Sequence, residues 1–69
     1  MEKKLKIKLS NLNAADSLEN VSYPSNRLHK LKGEFQGFWS ISVNMQYRII
    51  FRWDAEKGDA YDVTIIDYH

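Results

Sequence analysis

Sixty-nine residues allow one domain, and 43% apolar content with two Trp, four Tyr and three Phe is the composition of a packed chain, not a disordered one. The absence of cysteine excludes disulfides and thiolate metal sites, and two histidines alone fall short of a zinc ligand set, so neither metal nor cofactor is expected. The net charge of +1 hides an asymmetry: eight Lys/Arg face four acids through Arg48 (+4), and two face five acids beyond it (−3). A basic front half suits phosphate partners, although a solvated lysine-rich helix face would give the same balance.

No apolar run is long enough to cross a bilayer, and the Lys-rich start has no apolar core of a signal peptide, so a cytoplasmic protein is expected. A chain this short buries a modest share of its surface. A partner or a homodimer is therefore expected to cover part of it.

Lys4 to Leu9 alternates like a strand, yet Leu5, Leu9 and Leu12 also fall at i, i+4 and i+7. The Lys, Leu, Glu and Ala content favours a helix over Glu2–Ala14. Asp16-Ser17-Leu18-Glu19 has the form of a capping box and predicts one short helical turn through Val21, ended by Pro24.

From Asn26 onward the pattern is β. Arg27–Leu31 reads as a short strand stopped by Gly33, followed by a loop closed at Gly37. Trp39, Ile41 and Val43 alternate with Ser40 and Ser42, and Asn44-Met45-Gln46 connects to the stripe Tyr47, Ile49, Phe51 and Trp53. A second hairpin loop spans Asp54–Asp59, and Tyr61, Val63 and Ile65 supply the last stripe. These apolar stripes should pack on the leucine face of the helix, giving a two-layer α+β domain with a mainly antiparallel sheet of about four strands. The other sheet face carries Ser40, Ser42, Arg48, Arg52, Asp62 and Thr64. It is either a binding surface or an ordinary wet face with an Arg52–Asp62 ion pair.

Two groups of proton-handling residues stand out: His29 in the first strand, and Asp67-Tyr68-His69. A strand histidine taken alone is more often structural, and Trp39 and Trp53 belong to the core stripes. Five segments in order nevertheless carry a resemblance: Asn26–Gly33, Gly37–Asn44, Tyr47–Trp53, Gly58–Val63 and Asp67-Tyr68-His69. Together they closely resemble HigB-type toxins of the RelE/ParE superfamily of bacterial toxin–antitoxin systems.

The resemblance implies a RelE-like fold and a ribosome-dependent mRNA endonuclease. Such a toxin cuts in the ribosomal A site, inhibits translation, and is neutralised by a HigA-type antitoxin. It implies His29, Asp67, Tyr68 and His69 as catalytic positions. Lys32 and Arg48, joined by Arg27 and Lys30, would be phosphate- and RNA-binding cations.

Those residue types fit the chemistry. Attack by the RNA 2′-OH needs a base, an acid for the leaving 5′-oxygen, and cations on the phosphate as charge develops. Which histidine is base and which acid stays open. Relatives usually carry a strand and a helix before the helix that opens this chain; a misplaced start codon, a shortened natural member or a degenerate copy would each explain the difference, and an exposed sheet edge is expected. Two other readings share the scaffold: a non-enzymatic ParE-like gyrase-binding toxin, and an inert member that only binds antitoxin. Strict alternation from Ile65 would send Asp67 and His69 to the core side, so the last strand is expected to break phase, by a bulge or by leaving the sheet near Ile66.

Overall fold

The computed structural model describes residues 2–22 and 24–67. Helix α1 covers Glu2–Ala14, the range expected from its helix-forming content. Leu12 is buried, Leu5 and Leu9 pack partly buried against the core, and Ile7 faces solvent at 52% exposure. The 3.6-residue period therefore governs this segment, and the lysine alternation is incidental.

The next turn, Leu18–Val21, is a 3-10 turn whose cap differs from the expected one. Ser17 is the N-cap, and the Asn20 Oδ1 accepts from the backbone N–H groups of Asp16 (3.0 Å) and Ser17 (3.2 Å). The Asp16/Glu19 box is displaced by one residue, because Asn20 serves both free donors at once. A second 3-10 turn, Pro24–Asn26, closes with the Arg27 N–H donating to the Pro24 carbonyl at 3.2 Å.

Strand β1 is only His29–Lys30, shorter than the expected Arg27–Leu31. Arg27 has φ +49°, a left-handed conformation outside the extended range of a regular strand. At the other end, Leu31 still donates to the Phe38 carbonyl at 2.9 Å, just past the ladder. Strands β2 (Trp39–Ser42), β3 (Tyr47–Asp54) and β4 (Asp59–Asp67) complete an antiparallel sheet in the order β1-β2-β3-β4.

Both hairpins are closed by side chains. The Asn44 Oδ1 accepts from the N–H groups of Gln46 and Tyr47, each at 2.8 Å, so the first turn needs no glycine. The Asp54 Oδ1 does the same for Glu56 and Lys57, each at 3.0 Å. Gly58 follows with φ +68°, and a Cβ there would lie 2.8 Å from the Asp16 carbonyl oxygen. Glycine at this position is required by the turn and by the close approach of the α1–3-10 connection.

The helix-side face of the sheet holds the core: Ile41, Val43, Ile49 and Phe51 pack with Leu12, Ala15 and Val21. Burying Phe51 fully stabilises the fold by roughly 2–3 kcal/mol.

The β3–β4 ladder contains a bulge, but not where alternation suggested. Ile50 pairs with Thr64 and Arg52 with Tyr61, so Asp62 and Val63 together oppose Phe51. Asp62 takes φ +52°, which aspartate tolerates better than most residues. From Thr64 to Asp67 the pairing is continuous, so no break occurs near Ile66.

The bulge has two consequences. Tyr61 shares the face of Arg52, and Ala60 takes its place opposite Trp53. Asp67 lies opposite Tyr47, a register position on the helix side. Val63 and Ile65, on the edge strand β4, are each 42% exposed.

Candidate nucleic-acid site on the open face of the sheet

The face of the sheet away from α1 is built in rows by the register. One row runs His29–Ser40–Ile50–Thr64 across all four strands, and the next runs Ser42–Arg48–Ile66. The centre of this face is not wet: Ser40 is fully buried and Ile50 is 2% exposed. The Ser40 hydroxyl has no hydrogen-bond partner among the described residues. Farther along, Arg52 stacks 4.5 Å over the Phe38 ring and meets Asp62 at 3.5 Å. That pair is 41% and 63% exposed, so it contributes at most about 1 kcal/mol.

His29 is exposed, and its Nδ1 lies 3.0 Å from the Arg27 carbonyl oxygen. A carbonyl can only accept, so Nδ1 carries the proton and neutral His29 presents a bare Nε2 lone pair. The left-handed turn at Arg27 places that carbonyl within reach. The segment is held from below by the buried Asn26. Its Nδ2 donates to the Val21 carbonyl at 3.0 Å, and its Oδ1 accepts from the Lys8 ammonium. Burial first, and the charge of Lys4 second, hold the Lys8 pKa below its usual 10.5.

The expected cations separate into two groups. Arg27 and Arg48 line one cleft of about 520 Å³ together with Ser42, Asn44, Met45 and, from α1, Lys4. Lys30 and Lys32 line another cleft of about 440 Å³ beside Leu31, Gly33 and Gln36. Lys30 pairs with Trp39 on the helix side, its ammonium 5.7 Å from the Trp39 ring centre.

His29 and Arg48 share the open face. Two strand spacings of about 4.8 Å and two residue rises of about 3.4 Å separate their Cα atoms by about 12 Å, a span both side chains can close around a phosphate. Asp67 is exposed at the β3–β4 end and accepts from the Gln46 side-chain amide at 3.5 Å. Tyr68 and His69 lie outside the described residues. Among the described residues no group of three or more His, Asp or Glu side chains could hold a metal.

Over residues 1–69 the chain matches the family described as the RelE-like toxin of type II toxin–antitoxin system HigB. The chain belongs to the HigB-like toxin family. It is 36% identical over 62 residues to endoribonuclease HigB of Proteus vulgaris, covering 90% of this chain and 65% of that protein. It is 45% identical over 47 residues to toxin HigB-1 of Vibrio cholerae serotype O1, covering 67% of this chain and 50% of that protein. This HigB-like domain thus spans between half and two thirds of the length of the curated relatives it matches. Its helix on an antiparallel four-stranded sheet is the RelE-like α+β arrangement, and no helix among the described residues is long and apolar enough to cross a membrane.

Sequence reasoning missed three contributors to this site: Asn26, the Arg27 carbonyl and Lys4. The first two act through backbone geometry around a left-handed residue that no residue type at position 27 announced. Lys4 had a signal, since Lys4 and Lys8 fall one helical turn apart, but nothing in one dimension places that turn beside the β2–β3 hairpin.

Proposed function

We propose that the domain is a ribosome-dependent RNA endonuclease of a type II toxin–antitoxin system, cutting mRNA in the ribosomal A site and stopping translation in the cytoplasm. One observation carries the reading: the Arg27 carbonyl fixes His29 as the Nδ1–H tautomer, with Nε2 free on the face that presents Arg48. The name of the Proteus vulgaris relative, an endoribonuclease, supports the same chemistry.

In this reading Nε2 of His29 takes the 2′-OH proton. The 2′-oxygen attacks the adjacent phosphorus, and the P–O5′ bond breaks to leave a 2′,3′-cyclic phosphate. Arg48, with Arg27 in the same cleft, neutralises the charge that develops on the phosphoryl oxygens, while Lys32, in the other cleft, contributes to RNA attraction. His69 returns a proton to the leaving 5′-oxygen and Tyr68 packs on the base or phosphate, while Asp67, whose register puts it on the helix side, takes no part in the step. Lys30 adds to the general attraction for RNA. A HigA-type antitoxin holds the toxin inactive.

The reading is tested by incubating the protein with mRNA, with and without translating ribosomes, and mapping the ends. It expects cuts within codons that need the ribosome, since the ribosome orients the substrate, and products with cyclic phosphate and 5′-hydroxyl ends. Equal cutting of naked RNA, or 5′-phosphate products, would contradict it.

A further inference from the structure

The cleft at the β2–β3 turn gathers three cations from three separate parts of the chain. Lys4 comes from α1, Arg27 from the turn before β1, and Arg48 from β3, and no acidic residue is among the described lining. Cations converging from separate elements form a positive surface that attracts a phosphate.

The volume of about 520 Å³ has room for a phosphate with its sugar, far more than one water needs. At the rim stands Met45, 98% exposed, with no packing role in the fold. A flexible thioether there offers an adaptable apolar surface of the kind a nucleobase can lie against. The cleft also has a defined place relative to His29. Its Ser42–Arg48 row lies one row from the His29–Ser40 row, about 7 Å along the strand.

We propose that this cleft binds the backbone phosphate next to the scissile one on single-stranded RNA, with Lys4 as its ligand and Met45 against the adjoining base. The proposal rests on the endonuclease reading and adds Lys4 and Met45, which neither the sequence pattern nor the family resemblance pointed to. Arg48 then stands between two consecutive phosphates, and α1, otherwise a packing element, becomes part of the RNA surface. Lys4 acts on binding and not on the bond that breaks.

The test uses a 2′-O-methyl tetranucleotide, which cannot be cut because its nucleophile is blocked. Titrated into the isotope-labelled protein, it should shift the backbone resonances of Lys4, Asn44 and Met45 together with Arg48. Lys4→Gln should weaken binding of different sequences alike and reduce the dependence of log affinity on log salt by about 0.7–1. In the cleavage assay it should raise KM while kcat stays within about twofold, and Lys4→Arg should restore KM. Lys6→Gln, an exposed lysine of the same helix outside the cleft, is the control.

Shifts confined to His29 and its neighbours, or a Lys4→Gln effect equal to that of Lys6→Gln, overturn the proposal. Cleavage by the unsubstituted protein together with a silent Lys4 overturns this proposal alone. Binding through Lys4 with no cleavage under any condition overturns the endonuclease reading instead.

Discussion

Arg27→Gly separates stability from activity at a single position. Arg27 is exposed and holds φ +49°, which costs a non-glycine residue about 1–2 kcal/mol. Glycine removes that cost but loses about 0.5–1 kcal/mol more backbone entropy on folding. The balance is a gain of roughly 0–1.5 kcal/mol, or an upward shift of about 0–1.5 M in the urea midpoint for a slope near 1 kcal/mol per M. The same substitution strips a guanidinium from the cleft that Arg48 lines, so RNA cleavage should fall while the fold holds or tightens. Urea titration followed by tryptophan fluorescence reads the first effect, and primer extension on cleaved mRNA reads the second. A midpoint lowered by about 1 M or more would refute the argument. It would mean that the Arg27 side chain supports the turn and is not a strained residue kept for its charge.

Three further outcomes follow from the packing. Gly58→Ala should destabilise by about 3 kcal/mol, because the left-handed turn and the 2.8 Å approach to the Asp16 carbonyl both exclude a Cβ; thermal denaturation within a degree of wild type would count against it. Asn26→Leu leaves the Val21 carbonyl and the Lys8 ammonium without their partner and should cost about 2–3 kcal/mol, lowering Tm by roughly 10–20 °C. The depressed Lys8 pKa makes the folded state bind fewer protons than the unfolded chain between that lowered value and 10.5. Stability relative to Lys8→Gln should therefore rise as pH climbs toward 10.5, and a flat difference in urea midpoints across that range would be the opposite result.

The helix and the sheet stripes were readable because each rests on local periodicity. Leu5, Leu9 and Leu12 specify one helical face whatever follows, Trp39–Val43 alternates without interruption, and Tyr47–Trp53 does so except at Ile50. What escaped the sequence depends on the ladder or on a single backbone dihedral. Tyr61-Asp62-Val63 reads as plain alternation, and only the pairing with β3 shows two residues opposing Phe51. Alternation predicts a phase break near Ile66, by a bulge or by leaving the sheet; the bulge lies instead at Asp62–Val63 and leaves Asp67 in phase with Ile65 and Tyr47.

The grouping of the candidate site depends on which residues the ladder sets side by side, and sequence alone does not show that. His29 and Arg48 do share a face, and Arg27 joins Arg48 in one cleft. Lys30 and Lys32 line a different one, since alternation turns Lys30 toward Trp39 when His29 turns toward Ser40. The capping residues slipped by one because Asn20, not Glu19, reaches both donors.

The central claim is that His29 and Arg48 act together on one phosphodiester of ribosome-bound mRNA. Its most direct measurement is the single-turnover rate of cleavage on ribosomes programmed with a defined codon, for wild type, His29→Gln, Arg48→Ala and the double substitution. The account predicts a loss of about 100-fold or more for each single change, a double loss well short of their product, and unchanged urea midpoints. Cleavage at the wild-type rate by either single variant would contradict it.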